Sequence, residues 1–384
     1  MLNVGVIGIG NCGNQIACLA NKEAHCDAFA INTSENDLAT LAGDIPKKLV
    51  GDSQGTGKNR AAAKQFLKDS IMELIRDEAF TTFMEKKEVI LIVSSMGGGS
   101  GSGMAPIMSN IIRDAFRNDD GLEMPTILVG VMPRLNEGLS TQVNALDYLH
   151  ELFNVLEDPT YMIYDNNNFA KETSYKVLET VNQQVVEDIK VIQCTYNTAT
   201  PYDSIDEKDM KTLLSSPGRI VIASLLNLKE KDLDESNIED LLIERIKKSA
   251  HAELQRDGVV ARTGLITNLS DRLNSQFDTH INNVRKFIGE PTEEFLHVTV
   301  NSDKALPNNV CLILTGLSKI TDRVEKIKDR IEEINAAQKQ HEDEVEDSTI
   351  AADEIAKLNE KRNYRKTSKE QNVDLKNIFG KFGM

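Results

Sequence analysis

The hydrophobic pattern of the first 131 residues predicts four strands separated by helical stretches. Runs of apolar, often β-branched residues stand at 4–9, 28–32, 89–93 and 125–131, and such runs are typical of strands. Strands that alternate with helices predict βαβ units in a parallel sheet. Ligands of such sheets bind at the carboxyl ends of the strands.

A long helix is predicted over residues 172–195. Its apolar residues follow one another at spacings of four, four, four and three, which places them in one stripe along a helix of about five turns. The residues of this stripe are Val177, Val181, Val185, Ile189 and Ile192.

The pattern beyond this helix predicts a second α/β unit. Strand-like runs at 219–223, 296–300 and 310–314 alternate with helical sequence, including 238–254. From residue 320 the apolar positions step by four, three, four and three over two heptads, at Ile320, Val324, Ile327, Ile331 and Ile334. Coiled coils need about three or four heptads, so we expect this stripe to pack on the protein's own body.

Charge divides the chain into an acidic body and a basic end. The 384 residues include 44 Lys and Arg against 60 Asp and Glu, for a net charge of −16. Residues 361–384 hold seven bases and two acids, and an acidic stretch at 341–354 precedes them by six residues. An acidic body argues against direct coating of nucleic acid or anionic lipid, and the end of the chain is predicted to be a basic flexible tail.

Cysteine usage and the N-terminus bear on location. The five cysteines form no CxxC pair, which favours reduced thiols in a cytosol. Residues 1–10 have neither the basic region nor the cleavage site of a signal peptide, and the run at 89–93 is too short to span a bilayer. We expect a cytoplasmic protein with no membrane partner.

Two glycine loops are candidates for phosphate binding. Gly8-x-Gly10-x-x-Gly13 fits the dinucleotide fingerprint, but the next strand ends at Asn32-Thr33 without the expected carboxylate. The sequence 97–103, GGGSGSG, follows a buried strand and precedes a predicted helix at 105–116. Such a loop directs backbone N–H groups at phosphate oxygens. Two loops on neighbouring strands favour a nucleoside triphosphate, and an NAD(P)-dependent oxidoreductase remains the alternative.

These motifs resemble those of one protein family. GGGSGSG is similar to the GGGTG[ST]G signature of the tubulin and bacterial tubulin-homologue superfamily, and GNCGNQI at 10–16 is similar to its first nucleotide loop. The sequence LLSSPG at 213–218, the segment from Cys311 and the FGKFGM end resemble the plasmid- and phage-encoded partitioning tubulins. The resemblance covers nearly the whole chain and is weaker between 226 and 305.

The resemblance implies an α/β fold with a Rossmann-like GTPase domain and a parallel sheet. It divides the chain into a GTP-binding domain, a central helix, a second α/β (activation) domain, a C-terminal helix and a basic flexible tail. The corresponding ranges are 1–171, 172–196, 197–318, 319–360 and 361–384.

The resemblance also implies GTP and Mg²⁺ as cofactors. Residues 55–59 correspond to the loop that senses the γ-phosphate, 133–138 to the ribose loop, and Asn166 to the residue that reads guanine. Asn182 on the central helix is the candidate for a second guanine contact, with Gln183 as the other possibility. The implied nucleotide-binding residues are Gly10, Asn11, Cys12, Gly13, Asn14, Gln15, Asn32, Thr33, Gly55, Thr56, Gly57, Gly97, Gly98, Gly99, Ser100, Gly101, Ser102, Gly103, Pro133, Glu137, Asn166 and Asn182.

An acid pair is the candidate catalytic group. Residues 204–210 resemble the family's NxDxxD loop, with Ser204 in place of Asn, and this loop acts on the nucleotide of the next subunit. The resemblance implies that Asp206 and Asp209 polarise the attacking water. Considered alone, two carboxylates three residues apart would be an N-terminal helix cap.

The resemblance therefore implies a GTPase that assembles head to tail into filaments in the cytoplasm of a bacterial host. Hydrolysis would occur at the contact between subunits, and filament turnover would move plasmid or phage DNA. The basic tail is a candidate docking site for a DNA-binding adaptor, with no direct nucleic-acid binding by the main body. A structural relative that binds nucleotide without hydrolysis is a further possibility.

Overall fold

The structure is a computed structural model, which describes residues 1–116, 124–194, 205–229, 238–254, 262–301 and 308–347. Its described strands form one ten-stranded sheet. The strands are β1 (Val4–Ile9), β2 (Asp27–Asn32), β3 (Lys47–Leu49), β4 (Val89–Ser95), β5 (Thr126–Met132), β6 (Thr160–Asp165), β7 (Gly218–Leu228), β8 (Arg262–Ser270), β9 (Glu293–Asn301) and β10 (Asn308–Leu317).

Helices connect most of these strands, and one 3₁₀ turn, Asn166–Phe169, follows β6. The described helices are α1 (Gly10–Ala24), α2 (Glu35–Ala39), α3 (Arg60–Leu74), α4 (Glu78–Met84), α5 (Ser100–Ala115), α6 (Leu139–Asn154), α7 (Ser174–Gln193), α8 (Glu207–Leu214), α9 (Ile238–Lys248), α10 (Asp271–Asn274), α11 (Phe277–Ile288) and α12 (Thr321–Asp347).

The sheet runs through both halves of the chain in the order β3-β2-β1-β4-β5-β6-β7-β10-β8-β9. Its first seven strands in this order are parallel; they include the four predicted for the first half of the chain, and β7 joins β6 through two residue pairs, Thr160 with Gly218 and Tyr161 with Arg219. In the second half, β10 is antiparallel to both β7 and β8. The mixed α/β fold is thus confirmed, and the halves share one sheet.

Helices cover both faces of the sheet. Alternate residues of β1 point to opposite faces, so Val4 and Val6 belong to a different apolar cluster from Ile7 and Ile9. Residues of α1, α7 and α8 complete the first cluster, and residues of α3, α4, α5, α6 and α12 complete the second. The sheet is therefore the middle layer of three.

The central helix α7 carries the predicted apolar stripe, whose five residues are all buried. Near its start, the Arg134 side chain donates to the Glu172 carbonyl at 2.7 Å, and at its end Leu2 N donates to the Gln193 carbonyl at 2.9 Å. Because Arg134 follows β5 and Leu2 precedes β1, α7 runs from the carboxyl edge of the sheet to the amino edge.

The C-terminal helix packs on the protein's own body, which confirms the prediction from its short heptad pattern. Ile320 and Ile327 are buried in the second apolar cluster, and Val324 and Ile331 pack against it. Helix α12 is described as far as Asp347; the rest of the predicted helix and the tail at 361–384 lie outside the described residues.

Several boundaries differ from the sequence-based predictions. Helix α5 begins at Ser100, inside the glycine loop, and α9 ends at Lys248, six residues before the predicted end at 254. Strands β3, β6 and β8 were not predicted. The domain boundaries stay predictions. Within the described part of the chain, no helix combines the length and apolarity needed to cross a bilayer.

Candidate functional site

Three loops at the carboxyl edge of the sheet enclose a cavity of about 430 Å³. They follow β1, β2 and β4, and the loop before α3 closes the fourth side. The cavity is lined by Ile9, Gly10, Asn11, Cys12, Asn32, Ser34, Asp37, Gln54, Gly55, Thr56, Gly57, Lys58, Ser95, Gly98, Gly99, Ser100 and Gly101. The sequence therefore identified the right edge of the sheet and most of these residues, but it missed Ile9, Ser34, Asp37, Gln54 and Ser95.

Helices α1 and α5 begin at this cavity without side-chain caps. The residues before them, Ile9 and Gly99, make no capping hydrogen bond within the described structure. The first N–H groups of a helix have no partner inside the helix, and the helix dipole makes this end positive. Two such ends at one cavity form an anion-binding site for phosphate groups.

Glycines allow the two helix ends to come together. A Cβ on Gly10, whose φ is +73°, would lie 3.0 Å from the Gly101 backbone nitrogen, and a Cβ on Gly101 would lie 2.7 Å from the Ile9 carbonyl oxygen. A Cβ on Gly13 would overlap the Val93 carbonyl oxygen. Side chains at these positions would separate α1, α5 and β4.

The loop after β2 and the loop before α3 are bonded to the start of α5. The Thr33 and Ser100 hydroxyls are 2.6 Å apart, and Asn32 Oδ1 accepts from Thr33 N at 2.8 Å. A Cβ on Gly99 would overlap Thr56 Oγ1, whose hydroxyl is 3.5 Å from that of Ser100. The four loops therefore form one packed unit.

Lys58 supplies the positive side chain of the described cavity lining, and Asp37 supplies the carboxylate. Lys58 has a left-handed backbone, with φ of +66°, and its Nζ donates to Thr141 Oγ1 at 2.7 Å. Asn144 Nδ2 donates to the carbonyls of Lys58 and Gly98, both at 2.9 Å, and so ties this loop to the glycine loop. The left-handed backbone of Lys58 is uncommon for a non-glycine residue and often marks a functional site.

Some predicted nucleotide-binding residues have structural contacts instead. Both polar atoms of the Asn14 carboxamide bond to the Ile31 backbone, each at 3.2 Å, so this side chain joins α1 to β2. Gln15 is exposed and donates to Asn11 Oδ1. Ser102 Oγ donates to the Gly98 carbonyl.

Glycines at the two ends of the glycine loop have packing roles. A Cβ on Gly97 would overlap the Thr141 side chain, and a Cβ on Gly103 would lie 2.8 Å from Arg60 O at the start of α3. Within the heptapeptide 97–103, only the four residues from Gly98 to Gly101 line the cavity.

The loop at 133–138, here called the β5–α6 loop, lies beside the first glycine loop. Glu137 Oε1 accepts from Arg134 N at 2.8 Å. Burial and the Glu137 charge raise the pKa of the Cys12 thiol to about 12, so Cys12 stays a protonated thiol and is a poor nucleophile. The predicted ribose loop therefore adjoins the cavity.

Both predicted guanine-binding asparagines have a buried polar atom without a partner. The side-chain oxygens of Asn166 and Asn182 are buried and accept no hydrogen bond in the described structure. Gln183 is engaged, because its Nε2 donates to Glu23 Oε2 at 2.9 Å. Buried polar atoms are rarely left unpaired, which favours Asn182 over Gln183 as a ligand-binding residue.

The acid pair lies at the opposite edge of the sheet. Lys211 of α8 pairs with Glu88, the residue before β4, at 2.6 Å, and the Ser216 carbonyl accepts from Thr160, the first residue of β6. Asp206 and Asp209 form a capping box at the start of α8, as their spacing predicts: each accepts from the other's backbone N–H, at 2.9 and 3.1 Å. Ser204 lies outside the described residues.

Among the side chains that the structure describes, no cluster of three or more His, Cys, Asp or Glu residues could hold a metal ion. The cavity does offer oxygen donors, including Asp37, whose Oδ2 accepts from Asn32 Nδ2 at 3.2 Å. Hard oxygen donors in small number suit Mg²⁺, which proteins often hold through one or two carboxylates together with substrate phosphates.

A parallel sheet with two uncapped helix ends at its carboxyl edge defines an α/β protein built to bind phosphate groups. Residues 3–174 match the model of the Tubulin/FtsZ family, GTPase domain. Over these residues the chain is similar to the GTPase domain of that family.

Two curated relatives illustrate the similarity. The tubulin-like protein CetZ of Methanothrix thermoacetophila is 29% identical over 196 residues, which are 45% of this chain and 50% of that protein. The tubulin-like protein TubZ of Clostridium botulinum C phage is 26% identical over 172 residues, 44% of this chain and 45% of that protein. In these two alignments the chain spans about half the length of each relative.

Solved structures extend the likeness in fold to both halves of the chain. The GTPγS-form protofilament of Bacillus thuringiensis serovar israelensis TubZ matches with a TM-score of 0.70, at 18% identity, over 91% of this chain and 95% of that one. At this identity the match concerns the fold, including the second α/β unit.

We predict that Lys58→Met weakens GTP binding about tenfold or more. A hydrogen bond to a charged group is worth about 1.5–3 kcal/mol, and about 1.4 kcal/mol is a factor of ten in affinity. Isothermal titration calorimetry at protein concentrations too low for assembly would measure the dissociation constant. Lys68→Met, at an exposed position of α3, is the matched control. Equal GTP affinity of Lys58→Met and wild type would exclude a phosphate contact by Lys58.

Proposed function

We propose that this protein is a GTPase that binds GTP with Mg²⁺ across the carboxyl edge of its sheet. The observation that carries the proposal is the meeting of two uncapped helix N-termini at one cavity. The phosphates would bind the N–H groups at the starts of α1 and α5, with Lys58 as the adjacent positive charge.

Guanine is the base that the unpartnered asparagines favour. Guanine presents two neighbouring donors on its Watson–Crick edge, the N1–H and the 2-amino group. The buried side-chain oxygens of Asn166 and Asn182 are acceptors without partners, so a guanine would satisfy both. Leaving a buried acceptor unpaired costs about 1–3 kcal/mol, which gives a physical basis for selectivity over bases that lack these donors.

Magnesium would be held between the phosphates and the oxygen donors of the cavity, with Asp37 as the protein carboxylate. When bound, the ion would neutralise part of the phosphate charge that develops during hydrolysis. The chain's own contribution would be the N–H groups, Lys58 and the hydroxyl of Ser100, which would hold the phosphates in position.

The alternative, an NAD(P)-dependent oxidoreductase, receives less support. That fingerprint needs a carboxylate at the end of the second strand for a ribose hydroxyl. Here Asn32 ends β2, is buried, and uses its side-chain oxygen to accept from Thr33 N. The family match of residues 3–174 also favours a GTP-binding domain.

We propose that hydrolysis requires a second copy of the chain. Strands β1 and β4 are six and seven residues long. At about 3.3 Å per residue, they separate the cavity at one edge of the sheet from α8 at the other edge by about 20 Å. A group that acts on the attacking water must reach it within hydrogen-bond distance. Asp206 and Asp209 are too far from the cavity of their own chain and would act on the nucleotide of the next subunit in a head-to-tail filament.

The solved structures of Bacillus thuringiensis TubZ and of Haloferax volcanii CetZ2 are protofilaments, which supports the proposal that this chain also polymerises. Head-to-tail contacts between unlike faces generate open filaments when the rotation between subunits does not close. GTP at one face and the acid pair at the opposite face would make each contact a hydrolysis site, so hydrolysis would weaken the contact that produced it.

We predict that Asp209→Asn keeps GTP binding and GTP-dependent assembly but lowers hydrolysis by roughly 100-fold. Asparagine retains an acceptor for the capping box, since Asn and Asp are similar at helix N-termini, but it loses the carboxylate charge. Sedimentation with GTP would measure assembly, and phosphate release would measure hydrolysis. Glu207→Gln, in the exposed first turn of the same helix, is the control.

Comparison with Asp209→Ala separates catalysis from capping. If the acid pair serves catalysis, both variants lose hydrolysis, and the alanine variant also loses about 1 kcal/mol of stability. If Asp209→Asn hydrolyses GTP like wild type, the pair is a structural cap and the catalytic assignment is wrong. Failure of the wild-type protein to sediment with GTP, together with no hydrolysis, would overturn the proposed function.

We also propose that filament turnover moves plasmid or phage DNA through an adaptor held by the basic tail. The tail at 361–384 carries a net charge of +5, read from the sequence, and it would be repeated on every subunit of a filament. Such repetition converts weak single contacts into firm ones. The similarity to the TubZ of a Clostridium botulinum phage supports this cargo.

Deletion of 361–384 is expected to leave GTP binding and sedimentation intact and to abolish co-sedimentation of an adaptor–DNA complex. The alternative is that the tail binds the acidic surface of a neighbouring subunit. Loss of sedimentation on deletion, with recovery when a separate 361–384 peptide is added, would favour the neighbouring subunit over the adaptor.

A further inference from the structure

One arginine of the C-terminal helix connects two loops beside the nucleotide cavity. Arg323, in the first turn of α12, is buried, and it pairs with buried Asp165 through Nε at 2.6 Å and Nη2 at 3.2 Å. Its Nη2 also donates to the Pro133 carbonyl at 2.7 Å. A single guanidinium therefore holds the chain where it leaves β5 and where it leaves β6.

Both contacts adjoin residues assigned to the nucleoside. Met132 and Asp165, the last residues of β5 and β6, are paired. Pro133 and Asn166, which follow them, therefore leave the sheet side by side. Asp165 Oδ1 accepts from Asn167 N at 2.9 Å and so fixes the start of the 3₁₀ turn that carries Asn166. Arg323 thus bonds to Asp165, the residue before the candidate base contact, and to Pro133, the first residue of the β5–α6 loop.

The helix that presents Arg323 is firmly attached. Ile320 and Ile327 are buried on either side of it, and Arg330, seven residues further along, donates through Nε to the Leu135 carbonyl at 3.0 Å. Residues seven apart lie on the same face of a helix. Two arginines of one face therefore hold the β5–α6 loop against α12.

We propose that Arg323 is a positioning residue for recognition of the guanine nucleoside, and that it links the position of the C-terminal helix to nucleotide affinity. This inference rests on the proposed GTP binding. A buried carboxylate that loses its partner is strongly destabilised. Without Arg323, the Asp165 carboxylate would move toward water, and the turn with Asn166 and the β5–α6 loop would lose their shared support.

The coupling must act in both directions. If the position of α12 affects the nucleoside loops, then the bound nucleotide affects α12 by the same free energy. Because α12 precedes the basic tail in the sequence, a partner on the tail that changed the position of α12 would change nucleotide affinity through this arginine.

The test compares the affinities for GTP and ATP in wild type, Arg323→Met, Arg323→Lys and the control Lys328→Met. Lys328 lies on α12 and pairs with the exposed Glu325, a type of surface pair that contributes little. Titration calorimetry would give both dissociation constants at concentrations too low for assembly. The two nucleotides share their phosphates, so the ratio of their affinities isolates recognition of the base.

We expect Arg323→Met to reduce the preference for GTP over ATP by about tenfold, within the usual range of coupling between sites. Arg323→Lys should recover part of the preference, because lysine keeps the charge but not the two-pronged geometry. Lys328→Met should match wild type.

Two results would overturn the inference. One is an unchanged preference in both Arg323 variants, and the other is an equal loss of GTP and ATP affinity, which a general structural role would produce. If Arg323→Met does not fold, Arg323→Lys alone decides between these outcomes. Failure of the wild-type protein to prefer GTP would instead contradict the proposed function, so the two failures are distinguishable.

Discussion

The close approach of two helix N-termini at the carboxyl edge of the sheet is the constraint on which the rest of the structure depends. Helices α1 and α5 begin side by side with their first N–H groups uncapped, and glycines at 10, 13 and 101 allow this approach. Uncapped N–H groups are costly unless an acceptor or water reaches them. A phosphate group is an acceptor with the right charge, so binding one at the proposed site would stabilise these N–H groups.

The parallel sheet gives the molecule two different ends. Its first seven strands are parallel, which places every phosphate loop at one edge and the acid-bearing α8 at the other. Helix α7 spans the distance between them. The second half of the chain adds strands to the same sheet and supports the turn after β6, because Asn168 Nδ2 donates to the carbonyls of Ser249 and His251. One edge therefore carries the proposed nucleotide site, while the opposite edge carries the acids proposed to hydrolyse the nucleotide.

Much of this could be predicted from the sequence, for physical reasons. Strands buried on both faces, such as β1 and β4, are continuous apolar runs, and the α7 stripe repeats at helical spacing. Strand β6, TYMIYD, was missed because it is fully buried but contains polar and aromatic residues instead of a continuous apolar run. The start of α5 was missed because glycine disfavours helices, whereas close packing requires glycine here.

Asn14 looked like a loop ligand, but its contact with Ile31 depends on tertiary structure. Arg323 is one of many charged residues in α12, and nothing in the pattern of this helix indicates that its side chain is buried.

The most direct test is the GTP hydrolysis rate per subunit as a function of protein concentration. The separation of the acid pair from the cavity predicts almost no hydrolysis at low concentration, then a rise to a plateau above a threshold. That threshold should coincide with the onset of light scattering from filaments. A rate per subunit that is constant from far below this threshold to far above it would contradict the account, because it would place the complete catalytic site within a single chain.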